Sequence, residues 1–274
     1  MLLRPAVVLT SLLLTAGPAA AKVVSVRPPA SGGSAGASVE VDRAAPVDRS
    51  AGRPLAGKVI VLDPGHQLGN SRFPRQINTL VSAGPSRKPC NTTGTATNAG
   101  YPEATFVWKV ALAARRQLEA QGAQVLFTRG TNSRSQWGPC VDVRGRAGNS
   151  EGADAKVSIH ADGSHARGAR GFHVIAPASV RGWTDDIAAP SRSLALAMRG
   201  GLGTGGFPRA NYIAGGDGLD FRSDLGTLNL SDVPTVMVEL GNMRNAAEAR
   251  RMTRRAGQAA YARALVAGLG RFLG

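Results

Sequence analysis

Three short apolar runs, far apart in the chain, each end on a polar side chain, and this limits the folds open to it. Val59-Ile60-Val61-Leu62 leads into Asp63-Pro64-Gly65-His66, Lys156-Val157-Ser158-Ile159 into His160-Ala161-Asp162, and Thr235-Val236-Met237-Val238 into Glu239-Leu240-Gly241-Asn242. Short runs rich in β-branched side chains read as strands buried on both faces, which parallel sheets require. Asp63-Pro64-Gly65 predicts a bend, because proline has no ladder N–H and glycine accepts positive φ. The carboxyl ends of strands in an open α/β sheet face the crevice where ligands sit. One histidine or glutamate there commonly begins a loop; three such residues together point to a site.

The segments between the runs supply the helices. Glu103 opens an amphipathic stretch with Phe106, Val107, Val110, Ala111, Ala114 and Leu118 on one stripe, Pro102 at its start and Gly122 at its end. A strand follows from Ala123 to Thr128, and strand, helix, strand implies a parallel pair with a right-handed crossover. Further helices are expected over 141–152, over 191–202 and from about Ala246, with an edge or antiparallel strand over 171–175. The sum is a single α/β domain: a mostly parallel, twisted central sheet flanked by helices on both faces.

Residues 1–21 have the layout of a secretory signal, with Arg4 before an apolar run and Ala19-Ala20-Ala21 for a peptidase. The run is short for a bilayer, so no transmembrane segment is expected after cleavage; an uncleaved anchor is the alternative. Residues 22–55 are rich in Pro, Gly, Ser and Ala and read as a disordered tether, which leaves 56–274 as the folded domain. Lys plus Arg is 33 against 18 Asp plus Glu, a net +15, so an exported chain would be drawn to polyanions. Nucleic acid is a poor candidate, since only 5% of residues are aromatic and no basic cluster is interleaved with stacking residues. Outside a bacterial cell the abundant polyanions are cell-wall polymers and phospholipid head groups; anionic cell-wall polymers are the expected partner, with the protein secreted to the periplasm or cell wall. The competing explanation is an Arg-rich compositional bias.

Cys90 and Cys140 suggest one disulfide in an exported chain, closing a loop of about fifty residues and contributing about 4 kcal/mol in the chain-entropy model. No CxxC spacing occurs, which excludes a thiolate zinc site. The long polar stretch 67–101 is expected to wall a substrate groove. Two imidazoles and a carboxylate suffice for a catalytic zinc with one open position. His66 and His160 supply the nitrogens and Glu103 is the best carboxylate, with Glu239 the candidate for moving protons.

VIVLDPGH, then Glu103 at a helix start, SIHAD around His160 and VMVELGN around Glu239 resemble, in order and spacing, the zinc-dependent N-acetylmuramoyl-L-alanine amidases of the amidase-3 type. The resemblance spans about Ala56 to Gly274. It implies zinc bound by His66, Glu103 and His160, a catalytic Glu239, and hydrolysis of the amide joining N-acetylmuramic acid to the stem L-alanine of peptidoglycan or muropeptides. Gln67-Leu68-Gly69 stands where the family often has two glycines, and Asn242 where an aromatic is common, so substrate fit is expected to differ more than chemistry. The Gly-rich stretch between His173 and Glu239 gives little support for an inserted blocking helix, which suggests an open site; separately, the protein is expected to be a monomer. Asp63 and Asp162 are expected to hold turns or orient ligands, His165 and His173 to be structural or to touch substrate, and Arg144 and Asn98 are weaker candidates. An exported zinc peptidase cutting another stem bond, or a non-catalytic wall-binding protein, are the alternatives.

Overall fold

Alternation along the strands decides which face of the sheet is core and which carries chemistry. In the structure, a computed structural model that describes residues 52–274, every second strand residue faces a large apolar core. Ile60 and Leu62, Val157 and Ile159, Val174 and Ala176, and Val236 and Val238 all belong to it. The residues between them, including Val61, Ile175 and Met237, fall in two small clusters instead. By the same alternation Asp63, Ser158, His160, His173 and Glu239 share the face with those small clusters.

In chain order the elements are β1 (Val59–Pro64), α1 (Pro74–Ile77), β2 (Leu80–Ser82), β3 (Arg87–Pro89), α2 (Glu103–Ala120), β4 (Gln124–Phe127), α3 (Val141–Arg146) and β5 (Ala155–Asp162). They continue with β6 (His173–Pro177), α4 (Ala188–Thr204), β7 (Leu219–Arg222), α5 (Gly226–Asn229), β8 (Thr235–Asn242), α6 (Ala246–Thr253) and α7 (Arg255–Leu273). Six strands form one sheet in the order β4-β1-β5-β8-β6-β7, with β2 and β3 as a separate hairpin. All neighbours are parallel except β6 and β8, so the sheet is mixed but mostly parallel. The long helices α2, α4 and α7 cover the large core, where Phe106 and Tyr261 pack edge to face and Tyr261 stacks on Phe207. The short α3 and α5 cover part of the opposite face. The described residues fall in a single compact unit, as the strand and helix pattern predicts.

Several boundaries move for identifiable reasons. β1 runs on through Pro64, because the proline faces the side where β4 has already ended and only its carbonyl is used, accepting from Arg129 at 2.9 Å. The helix expected over 141–152 stops at Arg146; Gly148, at φ +89 with its Cα against Val61, turns the chain back toward β5. The strand expected over 171–175 is antiparallel to β8 but not an edge, since β7 lies outside it. The last helix is two helices, broken at Arg254, whose ψ of 139 is extended. The stretch 67–101 contains α1 and the β2–β3 hairpin rather than only loop.

The expected signal segment 1–21 and most of the expected tether 22–55 lie outside the described residues. Leu55 is buried in the core, and its N–H donates to Gln121 O at 3.0 Å. Among the described residues no helix is long and apolar enough to cross a membrane.

Candidate active site

The bend after β1 is fixed by two buried arginines. Arg144 forms an ion pair with Asp63, both essentially without exposure, and also donates to Pro64 O at 2.9 Å and His66 O at 2.6 Å. Arg129 donates to Pro64 O and, at 2.9 Å, to Ala104 O, which ties the bend to the start of α2. Burial alone would push the Asp63 carboxyl up, but the Arg144 guanidinium and the Ser158 and Thr128 hydroxyls outweigh it and hold it well below the usual carboxylate range. His66 itself takes φ 56, a left-handed conformation that costs about 1–2 kcal/mol outside glycine and is tolerated where surrounding contacts enforce it. Gly65 has to be glycine for another reason: a Cβ there would collide with the imidazole of His160.

Three polar side chains from three elements meet beside this bend. His66 Nε2 lies 3.1 Å and His160 Nδ1 3.0 Å from the same oxygen, Glu103 Oε1. The two imidazoles stand nearly perpendicular at 82°, their centroids 4.8 Å apart. One ligand-capable atom from each of the three residues lies within 4.8 Å of the others. The backbone N–H of Ala161 donates to Glu103 Oε1 at 3.1 Å and that of Thr95 to Oε2 at 2.9 Å. Burial would raise the Glu103 carboxyl, but the facing His66 and His160 outweigh it and hold it well below the glutamate range.

This donor set fits a metal ion. His66 Nδ1–H donates to Thr92 O at 3.1 Å, which leaves Nε2 as the ring nitrogen facing the Glu103 carboxylate oxygen and open to a cation. A divalent cation bound by two imidazoles and one carboxylate satisfies all three groups, and this is a zinc-type donor set.

Glu239 stands next to the group. Its Cα pairs with that of His160 on β5 and with that of His173 on β6, so the three side chains form a row across the sheet. Glu239 Oε2 is buried and has no hydrogen-bond partner among the described residues. Burial and the Asp162 and Glu103 carboxylates push Glu239 well above its ordinary range, with Arg222 opposing. Asp162 is held by Tyr212, whose hydroxyl donates to Oδ2 at 2.8 Å, and lies 3.5 Å from His173 Nδ1. A cavity of about 260 Å³ opens beside His66 and His160, walled by Lys88, Pro89, Asn91 and Thr92 from the 67–101 stretch and by Leu225, Gly226 and Thr227 opposite.

The residues singled out in the sequence therefore separate cleanly. His66, Glu103 and His160 come together and Glu239 lies in the adjoining row. His165 is exposed, in a different depression with Asn98, Arg167 and Arg244, and is not part of the group. Cys90 and Cys140 are joined, and the joint secures Thr92: Val141 N–H donates to Cys90 O at 2.7 Å and Asn91 Nδ2 to Pro139 O at 2.8 Å. Arg129 and Thr92 carried no sequence signal, since a lone arginine or threonine in a polar loop has no period to mark it. Gly94 is similar: at φ +75 its Cα lies against Glu103 and His66, where no side chain has room.

A mostly parallel sheet with its polar constellation at the carboxyl ends of the strands defines an α/β protein whose site lies along that edge. Residues 60–271 match the model of the amidase-3 family, described as N-acetylmuramoyl-L-alanine amidase. The chain is 44% identical over 220 residues to an N-acetylmuramoyl-L-alanine amidase of Mycobacterium tuberculosis, covering 80% of this chain and 88% of the relative. Among solved structures it resembles the N-acetylmuramyl-L-alanine amidase of Mycobacterium smegmatis, with TM-score 0.74 and 40% identity over 80% of this chain and 98% of the other. The corresponding Mycobacterium abscessus enzyme gives TM-score 0.74 and 42% identity, covering 80% of this chain and 100% of that one. The protein belongs to the amidase-3 family.

Proposed function

We propose that the protein hydrolyses the amide between the lactyl group of N-acetylmuramic acid and the L-alanine of the peptidoglycan stem, with zinc held by His66, Glu103 and His160. The observation that carries the reading is the convergence of two imidazole nitrogens on one oxygen of a buried carboxylate, beside a second glutamate whose Oε2 is buried and unpartnered. Relatives named as such amidases, similar over most of the chain, support the choice of bond.

Zinc bound there supplies Lewis acidity to a carbonyl oxygen and to a water. The chain's own part is positioning and proton transfer. Thr92 O, by accepting from His66 Nδ1, keeps Nε2 free and the ring oriented. Backbone N–H groups of Ala161 and Thr95 keep Glu103 ionised and fixed. Glu239 takes a proton from the attacking water and returns it to the departing alanine amine. Its raised pKa suits this exchange, because a base poised nearer neutrality both accepts and releases protons readily.

Residues 1–21 then act as an export signal and the stretch from 22 to the start of the folded domain, which already includes Leu55, as a tether. The net +15 draws the monomeric enzyme to anionic wall polymers outside the cell. Mass spectrometry of digested peptidoglycan tests the reading. Free L-alanine amines on released stems, with glycan strands intact, are expected; cuts within the stem would assign a peptidase instead.

A further inference from the structure

The cavity beside the two imidazoles holds a cation that the architecture does not require. Lys88, on β3, lines this cavity together with Pro89, Leu225 and Met237. Its Nζ lies 2.7 Å from Asp224 Oδ2. Asp224 is already held from the other side by Arg222, which donates from Nε and Nη2 at 2.8 Å each. One carboxylate thus sits between two cations, and Arg222 holds it through both oxygens, so Lys88 can give up Asp224 without leaving that carboxylate unpaired. The Lys88 and Asp224 side chains are 37% and 46% exposed, and an ion pair that open contributes little, so the ammonium is free to exchange partners. The hairpin carrying Lys88 is nonetheless fixed, since Asn229 Nδ2 donates to Ala83 O at 2.9 Å.

The proposed substrate is charged on one side only. The lactyl carboxyl of muramic acid is consumed in the scissile amide, so the sugar next to it is neutral, and carboxylates lie on the peptide side. The residue after alanine places its own carboxyl within about two residue lengths of the bond, roughly 7 Å. Lys88 shares the wall of one cavity with His66 and His160.

We propose that Lys88 is a specificity-determining residue that binds a free carboxylate on the stem residue following alanine, leaving Asp224 to Arg222. This rests on the amidase reading and names the stem chemistry that the site selects.

Two muramoyl dipeptides that differ only in a second-residue carboxylate or its amide test the proposal, assayed by alanine amine released by the zinc-loaded full chain. The parent is expected to show a KM about tenfold lower for the acid, the worth of one charge-assisted hydrogen bond. Lys88→Met should raise the acid's KM to the amide's level, and Asp224→Asn should lower it by freeing the ammonium. The proposal is overturned if Lys88→Met weakens both substrates equally or neither, or if the parent prefers the amide. If the parent releases alanine amine from neither substrate, the amidase reading fails on its own. Calorimetric binding of the two free dipeptides to parent and Lys88→Met then decides the Lys88 claim: a preference for the acid that the variant loses upholds it, and no preference in the parent ends it.

Discussion

Replacing Arg144 by methionine removes the cation that fixes the bend before His66 and leaves its surroundings otherwise filled. Asp63 and Arg144 are 0% and 3% exposed at their side chains, so the variant strands a carboxylate with no water to receive it. Breaking a buried pair from one side typically costs 3–5 kcal/mol, and two backbone acceptors, Pro64 O and His66 O, lose a donor as well. A destabilisation of about 4 kcal/mol at pH 7 is expected. Urea unfolding in the presence of chelator measures it without metal linkage.

The pH dependence supplies a second test. In the parent the Asp63 carboxyl is held below its unfolded value of 3.8. Its contribution is therefore fully present above that value and is lost as pH falls through the lower, folded one. In Arg144→Met burial is opposed chiefly by the Ser158 and Thr128 hydroxyls, so the carboxyl rises from its parent value and protonation relieves the variant as pH drops. The gap between parent and variant should shrink from pH 7 toward pH 4, and Asp63→Asn should recover more than half of it at pH 7. A gap under about 1 kcal/mol at pH 7, or one that does not vary with pH, would refute the argument.

Other outcomes follow from the same geometry. Glu239→Gln should retain metal while losing about 10³-fold in kcat, as removal of a proton-transfer group does, and equal rates would remove Glu239 from the mechanism. Reducing the disulfide, which spans 50 residues, should lower stability by about 4 kcal/mol and slow turnover by loosening Thr92 from His66. A melting temperature that does not respond to reductant would show that the hydrogen bonds around Asn91 and Thr92 hold that corner unaided.

Much of the fold was legible because the strands announce themselves twice, by β-branched runs and by the residue that ends each run. The start of α2 at Glu103 was legible because a helix stripe includes Phe106, and the acid sits on the turn before it. β7 was not legible: Leu219–Arg222 is short, lies at the sheet edge and follows a run of glycines that hides any alternation. The break at Arg254 was invisible because arginine is a good helix former, and only the fit of α7 against α2 and α4 sets where the chain turns.

Within the site, His66, His160 and Glu239 were readable from their strand ends and Glu103 from its helix start, and the groups that hold them were not. Arg129 and Arg144 act on carbonyl oxygens from elsewhere in the chain, and Thr92 acts through its own carbonyl, a group that every residue has. Lys156 shows the same blind spot. It sits in an apolar run yet is fully buried, its ammonium donating to Gly145 O, and burial pulls it down to about 7 against Asp63 and Asp232.

Elemental analysis of zinc per chain in the parent, His66→Ala and Glu239→Ala tests the account most directly. One ion per chain is expected in the parent and in Glu239→Ala, and none in His66→Ala. Zinc retained in full after loss of His66, or absent from the parent under saturating metal, would contradict a centre built from His66, Glu103 and His160.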